Sequence, residues 1–268
     1  MTAGTTTTRT TTATTTTTTA TRTIGPGLLT VFATVLALGT APAMAAGTGD
    51  DAWKGEGGLT LNASDNAKVD AYVDRAKEAE QPIGTDVRTA ALVTGAELIG
   101  FEYRLKSPDS LKRKVATSLK EHPEQNVDTV LAALSDAVRY TLQWPDGAYT
   151  DGVNTASALL SAWGNDSTKW SNTWGRSSGY KGLNTGWRAP HSGQHFEVQF
   201  HTPASKHAQE VTHLLYEEQR LPSTTPARKK ELQAQQDAVF AAVPVPQGAD
   251  RLSPPVSPAA PVPVPAAR

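Results

Sequence analysis

The segment from His195 to Thr202 constrains the fold more strongly than any other part of the chain. Apolar and polar residues alternate strictly along it, and the polar ones are His195, Glu197, Gln199 and His201. Successive side chains of a β-strand point to opposite faces, so this pattern predicts a strand with one face in the core. The other face is either solvated or functional. Carboxylate, amide and imidazole groups in one line favour function, because a solvated strand face more often carries Thr, Lys or Ser.

A second strand is predicted just upstream of this segment. Residues 179–187 contain Gly-Tyr followed by a short run, and residues 190–194, which include Pro190 and Gly193, separate the two segments. This arrangement is typical of a β-hairpin. We therefore expect residues 180–188 to pair antiparallel with residues 195–202, so that Tyr180 and Glu197 open into one cleft.

Residues 1–45 are predicted to form a secretory signal peptide. The segment begins with a Thr-rich stretch, continues with an apolar run over residues 24–38, and ends in small residues around Ala43 and Ala45. The apolar run is too short to span a membrane stably, and the small residues fit a signal-peptidase site. The sequence therefore predicts a secreted, extracellular protein with no membrane segment in its mature form.

The rest of the chain is predicted to be one domain over residues 46–242, followed by a disordered tail over residues 243–268. The tail consists mainly of Pro, Ala and Val without apolar periodicity, which is typical of an extended segment. Cysteine is absent, so no disulfide supports the fold. The formal net charge of −1 indicates neither a nucleic-acid polymer nor a membrane surface as partner.

Helices and strands are predicted to alternate along the domain without a regular βαβ order. Apolar periodicity and capping residues predict helices over residues 64–80, 85–99, 107–121, 127–134, 150–163, 203–220 and 225–240. Further strands are predicted over residues 101–106, 136–144 and 169–174. The sum favours an α+β domain with a mixed β-sheet flanked by helices.

Two groups of charged residues in the first half of the domain each have two interpretations. Arg104, Lys106 and Lys114 lie around the start of the helix at Ser107, where they form either a phosphate clamp or an ordinary solvated helix face. Asp136 opens a strand, as either a capping residue or a metal ligand. On these stretches alone, the solvated face is favoured for the basic group and Asp136 stays undecided.

Taken together, these segments resemble the synthetase domain of the RelA/SpoT-like alarmone synthetases, and most closely the small secreted bacterial ATP nucleotide 3'-pyrophosphokinases. The resemblance runs from about Tyr103 to Arg220 and follows the order of the family's segments. These are a basic strand and helix, an acid that opens a strand, Gly-Tyr with a short run, and Glu-Val-Gln-Phe-His-Thr at Glu197–Thr202. The resemblance implies a nucleotidyltransferase-like fold of the RelA/SpoT-like synthetase type.

The resemblance also implies a role for each matched residue. The donor phosphates would be held by Arg104, Lys106 and Lys114. The metal would be held by Asp136 and Glu197, and Glu197 would also act as the catalytic base. The acceptor nucleotide would contact Tyr180, which stacks on its base, together with Arg176, Lys181, Asn184, Gln199 and His201. The chain departs from the usual pattern at Asn184, where His is common, and at His201, where Arg is common. These departures leave the choice of acceptor open.

The implied reaction transfers the β,γ-pyrophosphoryl group of ATP to the 3'-hydroxyl of a purine nucleotide and releases AMP and a nucleoside 3'-diphosphate. The acceptor would be ATP, GTP or one of their di- or monophosphates. Mg²⁺, with Mn²⁺ or Co²⁺ as substitutes, is the implied cofactor, and a monomer is expected. The residue types agree with this chemistry, since phosphoryl-type transfer needs mainly positioning and charge neutralisation by Arg, Lys and a carboxylate-bound metal ion.

Three other functions are compatible with parts of the sequence. A zinc-dependent hydrolase could use His195, Glu197 and His201 as ligands. A glycosidase could use Asp136 and Glu197 as its carboxylate pair, and the six Trp residues would suit a sugar cleft. A non-enzymatic wall-binding module is the third possibility, supported by the Trp content and the Pro-rich tail.

Overall fold

The computed structural model describes Met1, residues 51–221 and residues 223–256. Apart from Met1, the predicted signal peptide lies outside the described residues. No helix in the described part of the chain is both long and apolar enough to cross a membrane.

The domain is built on a five-stranded mixed sheet. In chain order its strands are β3 (Glu97–Leu98), β4 (Arg139–Gln143), β5 (Asp166–Asn172), β6 (Leu183–Arg188) and β7 (His195–His201), and their order in the sheet is β3-β4-β7-β6-β5. β4 and β7 are parallel neighbours, whereas the other pairs are antiparallel. A separate two-stranded sheet is formed by β1 (Trp53–Lys54) and β2 (Thr60–Leu61).

Helices flank this sheet, which confirms the predicted α+β class. They are α1 (Ala63–Thr94), α2 (Pro108–Glu121), α3 (Val127–Ala133), α4 (Asp146–Ala162), α5 (Pro203–Arg220) and α6 (Pro226–Ala241). α2, α3 and α4 pack against α1, and α5 packs against α6 and β7. The helix starts agree with their sequence: Ser107, Thr202 and Thr225 each cap a helix that has Pro in its first turn.

The predicted hairpin of β6 and β7 is confirmed. Gly186 lies opposite Glu197 and Asn184 lies opposite Gln199. Phe196, Val198 and Phe200 are completely buried, as expected for the core face of an alternating strand. On the same face Tyr140 of β4 donates a hydrogen bond to Glu80 of α1, at 2.9 Å between oxygens. The apolar side of the sheet therefore faces α1.

The prediction of two helices over residues 64–99 is wrong, because α1 runs without a break through Pro82. A proline inside a helix costs about 3 kcal/mol, since it removes one hydrogen bond and crowds the preceding turn. The buried stripe that contains Val69, Ile83 and Val87 continues on both sides of Pro82. Burial of this stripe against the rest of the core offsets that cost.

The prediction of a strand over residues 101–106 is also wrong. Phe101–Tyr103 is a 3₁₀-helix, and Arg104 has helical dihedral angles of φ −62° and ψ −27°. Only Leu105 forms a bridge, with Val138. The strand alternation that would send Arg104 and Lys106 to one face therefore does not apply, and the two side chains reach different partners.

The structure also differs from the predicted domain end at residue 242. Val243, Ala249 and Leu252 are buried. Asn172 of β5 donates to the carbonyl oxygens of Ala249 and Leu252, at 2.8 and 3.2 Å. Residues 243–252 therefore belong to the folded domain, because backbone carbonyls of this Pro-rich segment accept hydrogen bonds from a side chain of β5. Residues 257–268 lie outside the described residues.

Candidate active site

Polar side chains cover one face of the sheet where β4, β7 and β6 run side by side. The parallel register places Arg139 beside Glu197 and Thr141 beside Gln199. Side chains directly opposite on neighbouring strands lie on the same face, about 5 Å apart at Cβ. Glu197, Gln199 and His201 are all buried. Buried polar groups need partners, and their partners define the site.

Asp136 lies between two lysines at the edge of this face. Lys106 Nζ donates to Asp136 Oδ2 at 2.7 Å and Lys114 Nζ donates to Asp136 Oδ1 at 2.6 Å. Burial alone would raise the pKa of Asp136, but the charges of the two lysines hold this pKa below its ordinary value. Burial lowers the pKa of Lys114 to about 8, although Asp136 acts in the opposite direction. The structure thus joins three of the predicted residues in one charged cluster.

Arg104 is not part of that cluster. Its Nε lies 2.5 Å from Oε1 of Glu80, and its guanidinium carbon lies 4.3 Å from the centroid of the Phe101 ring. Burial raises the pKa of Glu80, but hydrogen bonds from Arg104 and Tyr140 bring it below its ordinary value. The guanidinium is therefore held toward α1, away from the two lysines with which the sequence analysis grouped it.

Glu197 is the carboxylate at the centre of the polar face. Gln199 Nε2 donates to its Oε1 at 2.7 Å, and Thr141 Oγ1 lies 3.5 Å from Gln199 Oε1. Burial raises the pKa of Glu197, Arg139 lowers it, and the negative charge of Asp136 raises it again. Glu197 is thus a carboxylate of increased basicity whose orientation is fixed by Gln199.

Three further basic residues, absent from the sequence-based prediction, lie near the polar face. Arg139 lies beside Glu197 on β4, Lys169 lies opposite Gly186 on β5, and Lys206 extends from α5. The charges of Arg139 and Lys169 both lower the pKa of Glu197. Burial lowers the pKa of Lys206, and the charge of Arg139 lowers it further. A signal for Arg139 was present, because the run Arg139–Gln143 alternates polar and apolar residues in the same way as β7.

Tyr180 precedes β6 and folds back toward the end of β7. Its hydroxyl lies 3.0 Å from the side-chain amide of Asn184 and 3.0 Å from Nε2 of His201. His201 is fully buried, and its Nδ1 lies 2.6 Å from Ser205 Oγ. Burial lowers the pKa of His201 to about 3. Both ring nitrogens are therefore engaged, and His201 is unsuited to the role of general base.

The remaining predicted acceptor residues lie in the loop between β5 and β6. Lys181 is buried, and its Nζ donates to the carbonyl oxygens of Trp174 and Arg176. Its ammonium group therefore holds the loop together. The sequence-based expectation was different and placed Lys181 near the acceptor phosphates. The Arg176 side chain is half-buried in the same loop.

The donor set fits Mg²⁺ and does not fit a zinc site. Asp136 and Glu197 are buried carboxylates close enough for the charge of one to shift the pKa of the other. One or two carboxylates, completed by substrate phosphates, is the usual protein environment of Mg²⁺. Within the described ranges no group of three or more His, Cys, Asp or Glu side chains converges on a point. The zinc alternative with His195, Glu197 and His201 is therefore not supported by the geometry.

Comparison with known proteins finds similarity to solved structures only. No protein-family model matches the chain, and no curated protein sequence matches it either. Three similar solved structures are the type VI effector Tas1 in complex with its immunity protein, the small alarmone synthetase 1 from Bacillus subtilis bound to its product pppGpp, and a GTP pyrophosphokinase family protein from Streptococcus pneumoniae.

The three similarities have comparable strength. Tas1 has a TM-score of 0.42 and 18% identity over 64% of this chain and 95% of that chain. The Bacillus subtilis synthetase has a TM-score of 0.48 and 14% identity over 65% and 92%. The Streptococcus pneumoniae protein has a TM-score of 0.43 and 15% identity over 67% and 89%. Because these values are low, the function proposed below rests on the site residues.

Proposed function

We propose that the protein is a pyrophosphokinase that transfers the β,γ-pyrophosphoryl group of ATP to the 3'-hydroxyl of a purine nucleotide. The observation that carries this proposal is the arrangement of Lys106 and Lys114 on Asp136, next to a polar sheet face with Glu197 at its centre. A reaction that moves a polyphosphate group needs several positive charges close to a carboxylate-bound metal ion, with a base within reach of the acceptor.

The donor end of the site is the lysine cluster around Asp136. Both ammonium groups are mostly buried, with side-chain exposures of 12% for Lys106 and 14% for Lys114. Charge-assisted bonds to phosphate are strong in such surroundings, because little water competes for the ammonium. Lys106 and Lys114 would bind the donor phosphates. Arg104 would join them only by exchanging its bond with Glu80 for one with ATP.

Asp136 and Glu197 would hold Mg²⁺, which on binding would neutralise negative charge on the transferred group. Each Asp136 oxygen already accepts one lysine hydrogen bond, and an ionised carboxylate oxygen keeps a second lone pair for a further ligand. Two positively charged lysines keep Asp136 ionised, as a metal ligand must be. The fit therefore lies in the chemistry of these two carboxylates.

The acceptor end of the site lies around Glu197 and Tyr180. Glu197 would take the proton of the 3'-hydroxyl, and its raised pKa makes it a better base than an exposed glutamate. Gln199 would orient the carboxylate through its 2.7 Å bond. Arg139 and Lys169 would stabilise the negative charge that develops between the acceptor oxygen and the transferred group.

The alternatives gain no support from the described residues. A glycosidase needs two carboxyl groups that face the scissile bond, whereas both oxygens of Asp136 accept hydrogen bonds from lysine ammonium groups. A wall-binding module would display aromatic rings, but Trp144, Trp174 and Trp187 are core residues. We further propose that the protein is secreted, on the composition of residues 1–45. N-terminal sequencing of the protein from culture medium tests this, and an uncleaved Met1 would contradict it.

One experiment tests the proposed reaction. The full chain is incubated with ATP and Mg²⁺, either alone or with GTP as acceptor, and the products are separated by anion-exchange chromatography. We expect AMP and a nucleoside 3'-diphosphate in equal amounts. Release of ADP and phosphate, or recovery of unchanged ATP, would refute the proposal. Omission of the metal ion should abolish both products together.

A further inference from the structure

The Tyr180 hydroxyl belongs to a buried hydrogen-bonded chain that is not part of the reaction described above. The chain of contacts runs from Asn184 to Tyr180 at 3.0 Å, from Tyr180 to His201 at 3.0 Å, from His201 to Ser205 at 2.6 Å and from Ser205 Oγ to the Lys181 carbonyl oxygen at 2.8 Å. Asn184, His201 and Ser205 are buried. These contacts connect β6, β7, α5 and the loop that carries Tyr180.

The positions of the hydrogens follow from the groups that can only accept. The carbonyl of Lys181 accepts from Ser205 Oγ, so Ser205 Oγ accepts from Nδ1 of a neutral His201. His201 Nε2 then has a free lone pair. The single hydrogen of the Tyr180 hydroxyl lies between two acceptors, His201 Nε2 and Asn184 Oδ1, each 3.0 Å from the hydroxyl oxygen.

The ring of Tyr180 is held by packing as well as by this chain of bonds. It makes edge contacts with His201 and with Phe240 of α6, with ring centroids 5.8 and 5.6 Å apart. A Cβ atom on Gly182 would lie 2.6 Å from the Tyr180 hydroxyl oxygen. Residue 182 therefore has to be glycine for the phenol to reach Asn184 and His201, because any side chain there would clash.

We propose that Asn184, His201 and Ser205 are positioning residues that fix the Tyr180 ring for the base of the acceptor nucleotide. This inference rests on the proposed function for the identity of the ligand. Asn184 and His201 contact the same hydroxyl. An arginine at position 201 could not accept the Tyr180 hydrogen and would bury a positive charge near Arg139 and Lys206. Both residues thus fix the Tyr180 hydroxyl.

The first variant is Tyr180→Phe, which keeps the ring and removes the hydroxyl. Loss of one buried hydrogen bond loosens the ring, and the KM for the acceptor nucleotide should rise about three- to tenfold. The KM for the donor ATP should not change, because the lysine cluster is untouched. A purely structural role would lower stability and leave both KM values as they are.

Two amide substitutions of His201 separate the two bonds that its ring makes. Gln places an amide near the position of Nε2 and keeps a partner for Tyr180, whereas Asn places one near Nδ1 and keeps only the bond to Ser205. His201→Asn should therefore raise the acceptor KM as Tyr180→Phe does, and His201→Gln should recover most of that loss. The double variant Tyr180→Phe/His201→Asn should be no worse than Tyr180→Phe, because both changes remove the same bond.

Three results would overturn the inference: an unchanged acceptor KM in Tyr180→Phe, an equal rise in both KM values, or additive effects in the double variant. A wild-type protein without pyrophosphoryl transfer would instead refute the proposed function. In that case, calorimetric titration with GTP decides the inference separately. Three- to tenfold weaker GTP binding by Tyr180→Phe would support it, and equal affinity or no binding by the wild type would overturn it.

Discussion

The replacement Asp136→Asn tests the electrostatic organisation of the site without assuming any activity. The Asp136 carboxylate is fully buried, and the two lysine side chains that bind it are 12% and 14% exposed. Asparagine has nearly the same shape but no charge, so it leaves two poorly hydrated cations side by side. Removal of one partner from a buried ion pair costs about 3–5 kcal/mol. We therefore expect the free energy of unfolding to fall by about this amount.

The size of this loss should depend on pH in a defined direction. Burial lowers the pKa of Lys114 in the folded protein to about 8. The charge of Asp136 is the largest effect that raises this pKa, so its removal lowers the pKa of Lys114 further. In the variant, Lys114 therefore binds its proton more weakly when folded than when unfolded. Stability must then rise with pH up to the ordinary lysine pKa of about 10.4. The loss should be largest near pH 6 and smaller at pH 9.

Urea unfolding followed by circular dichroism at pH 6 and pH 9 measures both effects. The matched control is Asp166→Asn, which removes the same charge from an exposed pair with Arg188, where the side chains are 53% and 51% exposed. That change should cost less than about 1 kcal/mol. The double variant Asp136→Asn/Lys114→Met should recover part of the lost stability, since it removes one of the two buried positive charges.

Two results would refute this reasoning. A loss below about 1 kcal/mol for Asp136→Asn, similar to that of Asp166→Asn, would show that the two lysines do not depend on a buried carboxylate. A loss that grows between pH 6 and pH 9 would have the wrong sign for a buried lysine whose pKa is lowered. Either result would also weaken the assignment of this cluster to the donor phosphates.

The remaining predictions concern the base, an acid-sensitive ion pair and the C-terminal segment. Glu197→Gln should lower the rate of AMP release at least about 10²-fold with little change in unfolding free energy, because it removes a base and a metal ligand without changing shape. The control is Glu231→Gln at an exposed position, and a near-normal rate in Glu197→Gln would contradict the role of Glu197. Glu80→Gln should lower stability relative to wild type, and this difference should be fully present above about pH 4.3, the ordinary glutamate pKa. It should disappear as the pH falls through the lower pKa that Glu80 has in the folded protein. A stability difference that does not change between pH 3 and pH 7 would contradict this role of Glu80. Deletion of residues 243–268 should cost at least about 3 kcal/mol, because it exposes Val243 and Leu252 and removes the partners of Asn172, whereas a chain that ends at Val256 should unfold as the full chain does.

The sequence by itself determined the elements whose signal is local. The alternation along His195–His201 was sufficient to predict β7, its buried face and its polar face, because the period of a strand is a property of the backbone. The short separation between residues 188 and 195 was sufficient to predict the antiparallel pairing with β6. Capping residues followed by Pro at positions 108, 203 and 226 marked the starts of three helices.

Local signals failed where burial outweighs propensity. Two helices were predicted over residues 64–80 and 85–99, yet a continuous buried stripe keeps α1 intact through Pro82. The Pro-rich composition after residue 242 indicated disorder. The side chain of Asn172 nevertheless binds backbone carbonyls of that segment 77 and 80 residues away in sequence. No periodicity within the segment carries information about a partner on β5.

Tertiary structure alone decided which charged groups meet. Parallel pairing of β4 with β7 sets Arg139 beside Glu197, and the chain between the two strands is long enough to permit many other pairings. Likewise, Lys106 and Lys114 converge on Asp136, whereas Arg104, only two residues from Lys106, pairs with Glu80 on α1. The energy of an ion pair depends on distance and on exclusion of water, and both are set by packing between elements far apart in sequence. Residue types and spacing therefore indicated candidate residues, and the fold determined which of them meet.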